Sequence, residues 1–135
     1  MMNTKYQQWL NCPGMNDELL SQLKAMNEEQ ISDSFYRELA FGTGGLRGVL
    51  GAGTNRMNLY TVSKATRGLG KYLKETFENP SCAVSCDSRI HSTDFARLTA
   101  ATLAEMGIRV YIYKTLMPTP MLSYAVRHLK TSAGV

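Results

Sequence analysis

Strand and helix patterns alternate over residues 82–129, and this alternation restricts the fold more than any other feature of the sequence. Short runs with strand character lie at 82–86 and 108–113, and the second is rich in β-branched and aromatic residues. Each run precedes a segment with apolar residues at helical spacing, at 92–106 and at 119–129. The order strand, helix, strand, helix predicts a βαβ unit with parallel strands, and therefore an α/β domain.

The first 40 residues predict a helical extension in front of this domain. Apolar residues recur at helical spacing over 17–39, which predicts a helical segment there. The apolar positions are Leu19, Leu20, Leu23 and Met26, followed by Ile31, Phe35 and Leu39. The predicted division is a helical extension at 1–40 and an α/β domain at 41–135, with a short strand at Val49-Leu50.

Polar residues in front of apolar stripes predict where three later helices begin. Asn58, Ser92 and Thr119 can each accept hydrogen bonds from the free N–H groups of a first turn, so they are predicted N-caps. Gly107 is predicted to end the second of these helices. The buried face of the first helix is predicted to consist of Val62, Ala65, Leu69, Tyr72 and Leu73.

Length and cysteine content exclude several classes of protein. A chain of 135 residues has the size of one domain, and no stretch approaches the roughly 18 apolar residues of a membrane span. The N-terminus lacks the apolar core of a secretory signal, so the three cysteines, Cys12, Cys82 and Cys86, are predicted to be reduced thiols in the cytoplasm. With only His91 and His128 as further ligands, no metal site is predicted.

Charge is distributed unevenly along the chain. Residues 1–40 hold three Lys/Arg and six Asp/Glu, whereas residues 41–135 hold twelve and five, for a net charge of +7. A basic domain suits an anionic small substrate. The alternative is a non-catalytic module that binds nucleic acid or another polyanion, but the basic residues are scattered singly rather than in blocks.

The run Gly-Thr-Gly-Gly-Leu-Arg-Gly at 42–48 is the strongest chemical signal. Glycines at this density allow positive φ and let a ligand approach the main chain. Backbone N–H groups in such a turn can form a concavity for an anion, and an arginine offers a forked cation for a phosphate. Thr43, Gly44 and Arg47 are therefore the candidate phosphate-binding residues; a surface turn without a ligand is the alternative.

Nucleotide-binding patterns do not fit this run. The dinucleotide pattern G-x-G-x-x-G would need glycine where Arg47 stands, and no Gly-Lys-Ser/Thr ending of a P-loop occurs in the chain. A second candidate pair, Asp87 and Arg89, follows the predicted strand at 82–86, at the edge where α/β sheets bind ligands. These two side chains can also simply pair with each other or cap the next helix.

Four motifs together resemble the N-terminal domain of the α-D-phosphohexomutases, which include phosphoglucomutases and phosphomannomutases. They are FGTGGLRG at 41–48, GAGTNRMN at 51–58, DSR at 87–89, and PTP at 118–120 followed by LSYAVR at 122–127. The phosphoglucomutase-2 type, a branch that includes phosphopentomutases, is the most similar. The resemblance implies a three-layer α/β/α fold with a mixed, mostly parallel sheet, here incomplete.

The resemblance also implies a function. Such enzymes move a phosphoryl group between the 1-hydroxyl and the 6- or 5-hydroxyl of a sugar phosphate, through a phosphoserine, a sugar 1,6-bisphosphate and Mg²⁺. In the family, the residues matching Thr43 and Arg47 lie beside the phosphoserine, so Arg47 is the expected catalytic residue of this chain. Asp87 and Arg89 are expected at the rim of the site.

The sequence departs from the family pattern in one respect. The stretch 132–135 corresponds to the residues just before the family's serine loop, and that loop, the Mg²⁺ loop and the sugar-recognition loop are not in the sequence. The chain is therefore expected to be an N-terminal part of a mutase, inactive by itself and marginally stable. Its expected partner is a phosphosugar, with no nucleic acid and no membrane; the sequence leaves the oligomeric state open.

Overall fold

The protein consists of two compact units, which meet in sequence between Thr61 and Val62. A computed structural model describes residues 4–135. The first unit contains helices α1 (Thr4–Leu10), α2 (Asp17–Ala25) and α3 (Glu28–Phe35) and strands β1 (Phe41–Gly42) and β2 (Gly45–Leu46). Helix α4 (Leu59–Thr76) begins in it and continues into the second unit, which adds β3 (Ser81–Val84), α5 (Ser92–Glu105), β4 (Arg109–Ile112), α6 (Thr119–His128) and β5 (Ala133–Gly134).

The first unit forms its core between its three helices. Helix α1 lies in the predicted helical extension 1–40 but before the predicted helical segment 17–39. It contributes the buried Tyr6, whose hydroxyl donates to the Leu23 carbonyl oxygen at 3.0 Å. The ring of Trp9 packs edge-on against Phe35 and Tyr60, with centroids 5.7 and 5.4 Å apart. Buried apolar residues of this core are Tyr6, Met15, Leu19, Leu23, Phe35 and Ala52.

The predicted helical segment 17–39 is wrong in its continuity and in its end. Asn27 breaks it by forming a capping box with Gln30, because the Asn27 side chain accepts from the Gln30 N–H while the Gln30 side chain accepts from the Asn27 N–H, both at 2.9 Å. Helix α3 ends at Phe35, so Leu39 lies outside it. The predicted strand at Val49-Leu50 is also wrong, since Leu50 makes only an isolated bridge to Met57.

The second unit is an α/β arrangement around a three-stranded parallel sheet of order β4-β3-β5. Cys82 of β3 is in register with Val110 of β4 and with Ala133 of β5. The core lies on one side of the sheet, where helices α4 and α5 bury their apolar residues against β3. Its fully buried side chains include Leu73, Cys82, Val84 and Leu103. The predicted α/β fold class and strand–helix order are confirmed.

The structure corrects two predicted helix starts and one predicted buried residue. His91, with φ of 62°, precedes α5 as its N-cap in place of Ser92, which becomes the first helical residue. Pro118 precedes α6 in place of Thr119, since its fixed φ suits the entry to a helix. Tyr72 does not join the buried face of α4: it is exposed, and the buried residues of α4 are Val62, Thr66, Gly70 and Leu73.

Candidate functional site: a glycine hairpin in the first unit

The predicted phosphate-binding run forms a small β-hairpin, here called the glycine hairpin (residues 41–48). Strands β1 and β2 pair antiparallel, with Gly42 opposite Gly45, so Thr43 and Gly44 form a two-residue turn. Gly44 has φ of 111°, which L side chains rarely adopt, so glycine is required there. The turn therefore explains why glycines are dense in this run.

Thr43 and Arg47 are available to a ligand. Both residues are exposed, and among residues 4–135 neither side chain has a hydrogen bond or ion pair. The Gly44 N–H is already used, because it donates to the Gly42 carbonyl oxygen at 2.8 Å. The polar groups that the hairpin can offer to a phosphate therefore include the Thr43 hydroxyl and the Arg47 guanidinium, while Gly44 contributes its conformation.

A second loop (residues 51–57) supports the base of the glycine hairpin. The Leu39 N–H, before the hairpin, donates to the Thr54 carbonyl oxygen at 2.8 Å. The Met57 N–H donates at 2.8 Å to the carbonyl oxygen of Val49, which follows the hairpin. The second loop thus holds the chain on both sides of the hairpin, and this determines where Arg47 is presented.

Helix α3 in turn holds the second loop. The buried Asn55 side chain donates to the Asp33 carbonyl oxygen at 3.2 Å, and the Asn55 N–H donates to the Ser34 carbonyl oxygen at 2.9 Å. The Arg56 guanidinium pairs with the Asp33 carboxylate. Gly53, with φ of 128°, passes so close to Ser34 that a Cβ there would lie 2.6 Å from the Ser34 carbonyl oxygen. These contacts are local to the first unit and assign Arg56 a structural role.

The other predicted pair, Asp87 and Arg89, lies in the second unit, after β3. The Asp87 carboxylate accepts from the Arg89 backbone N–H at 3.1 Å and from Arg89 Nε at 2.8 Å. The Arg89 N–H, the Ser92 hydroxyl and the Arg89 guanidinium together lower the pKa of Asp87 below its ordinary value of 3.8. The two side chains therefore pair with each other, which is the structural alternative raised by the sequence.

Two clefts outside the hairpin contain none of the predicted site residues. A cleft of about 500 Å³ in the first unit lies beside α2, α3 and the second loop. Three of the polar side chains that line it, Gln22, Gln30 and Arg56, already have partners. A groove of about 270 Å³ in the second unit lies between β4 and α6 and is lined partly by Tyr111 and Tyr124.

Metal ligands are not gathered anywhere in the described part of the chain. Residues 4–135 contain no group of three or more His, Cys, Asp or Glu side chains that could hold a metal ion. Within this range the protein therefore offers Mg²⁺ no such group of three ligands. Within the same range, no helix is both long and apolar enough to cross a bilayer.

Comparison with known proteins identifies the family. The sequence profile described as "Phosphoglucomutase/phosphomannomutase, alpha/beta/alpha domain I" matches residues 38–135. The chain belongs to this family. The match includes the glycine hairpin, the second loop and the whole α/β unit, so the family resemblance of the motifs is confirmed. A separate polyanion-binding module is not favoured.

Individual members of the phosphoglucomutase/phosphomannomutase family agree with this match. A phosphoglucomutase of Staphylococcus haemolyticus is 45% identical over 101 residues, which cover 75% of this chain and 18% of the relative. One from Staphylococcus aureus strain MRSA252 is 39% identical over 121 residues, or 89% of this chain and 22% of the relative. The chain thus spans 18–22% of the length of these relatives. No solved structure matches the chain significantly.

Asn58 has a function that the sequence pattern did not indicate. It was predicted only as a helix cap, and it does cap α4, since its Oδ1 accepts from the N–H groups of Tyr60 and Thr61 at 3.1 Å. Its Nδ2 also donates to carbonyl oxygens of the second loop, at Gly51 and Gly53. The position of an asparagine directly after a glycine-rich loop is the one signal that could have indicated this second role.

Proposed function

We propose that this chain is the N-terminal part of a phosphosugar mutase and that Arg47 is its phosphate clamp. The observation that carries the proposal is the exposed Arg47 guanidinium, which has no partner among residues 4–135 and lies on a glycine hairpin within the family's domain I. A guanidinium presents parallel N–H donors that match two phosphate oxygens, and such charge-assisted bonds are the strong class of hydrogen bond. The Thr43 hydroxyl lies in the turn of the same hairpin and adds a second hydrogen-bond donor.

In the proposed reaction, a phosphoserine transfers its phosphoryl group to the free hydroxyl of a sugar monophosphate. The resulting sugar bisphosphate then returns its other phosphate to the serine, so the sugar leaves as the isomeric monophosphate. Arg47 offsets negative charge on the phosphate beside it, which is the main form of catalysis in phosphoryl transfer. The nucleophilic serine and the ligands of Mg²⁺ are proposed to come from the rest of a mutase chain.

Several finer expectations belong to this proposal. We assign the chain to the phosphoglucomutase-2 and phosphopentomutase-like branch, on the basis of its four motifs and its helical N-terminal part, with a division into 1–40 and 41–135. Asp87 and Arg89 form a rim element of the site, and Gly44 contributes the turn. Three unpaired cysteines favour a reducing, cytoplasmic setting. The chain by itself is expected not to turn over glucose 1-phosphate.

Binding of glucose 1,6-bisphosphate to the purified chain tests the clamp. In ¹⁵N NMR titrations, we expect the amide signals of residues 43–48 to shift with the bisphosphate and not with glucose, which lacks phosphate. The Arg47→Ala substitution should weaken binding at least about tenfold, because a charge-assisted hydrogen bond contributes about 1.5–3 kcal/mol.

A matched control separates the clamp from general charge attraction. Arg97 is also exposed and, among residues 4–135, unpaired, but it lies on α5. Arg97→Ala removes the same charge and should leave the affinity within twofold, on the order of the noise in such titrations. Equal losses in the two variants would mean that the protein attracts the bisphosphate only by its net charge, and Arg47 would not be a clamp.

A further inference from the structure

We infer that Asn58 is a positioning residue that fixes the glycine hairpin through the second loop. The inference rests on the proposed function of Arg47. It extends that function by naming the side chain that holds the support of the hairpin, and all the contacts involved lie within the first unit. Asn58 is 4% exposed and follows the second loop directly.

The Asn58 amide is saturated with hydrogen bonds. Nδ2 donates to the Gly51 carbonyl oxygen at 2.8 Å and to the Gly53 carbonyl oxygen at 3.0 Å. Oδ1 accepts from the backbone N–H groups of Tyr60 and Thr61, each at 3.1 Å. An amide has two N–H donors and one oxygen with two lone pairs, so this environment uses its full capacity. It also fixes the orientation of the amide, because carbonyl groups lie on one side and N–H groups on the other.

These four bonds join two different structures. On the oxygen side, Asn58 caps the first turn of α4. On the nitrogen side, it closes the second loop onto itself, by binding the carbonyl groups of Gly51 and Gly53. The second loop is therefore held at the N-terminal end of α4. A loop held at a helix end can position what it supports more precisely than a free loop can.

The path from Asn58 to Arg47 consists of short backbone contacts. From the second loop, Thr54 accepts the Leu39 N–H and Met57 donates to the Val49 carbonyl oxygen, both at 2.8 Å. The Leu39 side chain also packs against Gly48, the last residue of the hairpin: a Cβ on Gly48 would lie 2.7 Å from Leu39 Cδ1. The base of the hairpin is thus closed on both sides, and loss of the Asn58 donors should loosen it.

The substitution Asn58→Asp separates the two roles of the side chain. A carboxylate keeps the acceptors that cap α4, and it is favoured at a helix N-terminus. It has no N–H donors, so it turns two hydrogen bonds to Gly51 and Gly53 into contacts between a carboxylate and carbonyl oxygens. Asn27→Asp is the matched control, since Asn27 caps α3 through its Oδ1 and its Nδ2 has no partner among residues 4–135.

The experiment measures backbone ¹⁵N order parameters of the chain without ligand. For Asn58→Asp, we expect the order parameters of Gly45 and Arg47 to fall from about 0.85 to below about 0.6, while those in α4 stay unchanged. Asn27→Asp should keep both sets at wild-type values. This readout needs no sugar phosphate, so a failure of the proposed function would leave it interpretable. With the bisphosphate, Asn58→Asp should also weaken binding by a factor of at least 3, on the order of the freedom regained by the hairpin.

Two results would overturn the inference. One is a folded Asn58→Asp variant whose hairpin order parameters equal those of the wild type. The other applies if Asn58→Asp does not fold. Asn58→Ser removes the two amide N–H donors without adding a charge, and its hydroxyl can still cap α4. If Asn58→Ser also fails to fold, Asn58 determines the fold of the first unit rather than the position of Arg47. Mobility of the hairpin in Asn58→Ser, with α4 intact, would support the inference.

Discussion

Gly53 offers the sharpest test of how the second loop is built. The substitution Gly53→Ala adds one methyl group at a residue with φ of 128°, and the new Cβ would lie 2.6 Å from the Ser34 carbonyl oxygen and 2.7 Å from Ser34 Cβ. The unfavourable φ costs about 1–3 kcal/mol. The clash is with the backbone of α3 and not with a flexible side chain, so overpacking adds about 1–3 kcal/mol.

Gly44→Ala is the control for the backbone term. Gly44 has a similar φ of 111°, but a Cβ there would meet nothing within 4 Å. It should therefore show only the cost of the unfavourable φ. The difference between the two variants isolates the close approach of the second loop to Ser34, and it is expected to be about 1–3 kcal/mol.

Urea unfolding followed by tryptophan fluorescence measures this difference in the first structural unit. Trp9 is the single tryptophan of the chain, and it lies in the core of the first unit between Phe35 and Tyr60. At a slope of about 1 kcal/mol per molar urea, Gly53→Ala should unfold at least about 1 M earlier than Gly44→Ala. Equal midpoints for the two variants would refute the argument from close approach.

Two further predictions concern the second unit and its ionisable groups. Burial raises the pKa of the Cys82 thiol to about 11, so iodoacetamide at pH 8 should alkylate the exposed Cys12 and spare Cys82 in the folded protein, as read by peptide mass spectrometry; equal labelling would contradict the burial. The hydrogen bonds from Arg89 lower the pKa of Asp87, so Asp87 stabilises the fold above the pKa it has when unfolded and loses this contribution as pH falls through the lower, folded value. An NMR titration should place the pKa of the Asp87 carboxyl below 3.8. Arg89→Ala removes the guanidinium but keeps the backbone N–H, so it should raise this pKa only part of the way; an unchanged pKa would show that the guanidinium does not pair with Asp87 in solution.

Local sequence signals predicted the second unit well. Apolar periodicity and turn residues identified β3 and β4 and the helices α4, α5 and α6, because each of these helices carries a regular apolar face. The same signals failed where small or polar residues form the contact. Thr66 is buried on α4 because its hydroxyl donates to the Val62 carbonyl oxygen at 2.8 Å and lies 3.4 Å from that of Thr99. Gly70 is buried because Met106 packs against it, with Sδ 2.6 Å from where a Cβ would stand.

The first unit was harder to predict, for two physical reasons. Its apolar stripe continues across Asn27, so periodicity alone gave one helix, although the Asn27 and Gln30 pair is a readable capping signal. Val49 and Leu50 have strand-forming side chains, but they are 69% and 45% exposed and have no partner strand. Apolar periodicity reports only the local sequence. Whether a segment forms one helix, two helices or a strand also depends on its capping residues and on the segments it packs against.

The sequence proposed the residues of the candidate site but did not predict their architecture. The glycine run and Arg47 were evident from composition and motif, but the run was expected as a loop and forms a hairpin. The support of that hairpin depends on pairs such as Leu39 with Thr54, 15 residues apart and joined through backbone atoms. Backbone hydrogen bonds of this kind place no demand on side-chain type, so the sequence carries no signal for them.

The openness of the glycine hairpin has a consequence for how the protein is handled. Arg47 and Gly48 are both exposed, and positively charged side chains followed by a small residue are what trypsin cleaves. Extended, glycine-rich backbone also fits easily into a protease cleft. The peptide bond after Arg47 is therefore a natural nicking site, and cleavage there would separate α1, α2 and α3 in sequence from Ala52, which belongs to the same core, and from the α/β unit. The same exposure that makes Arg47 a candidate phosphate ligand therefore also exposes this bond to trypsin-like proteases.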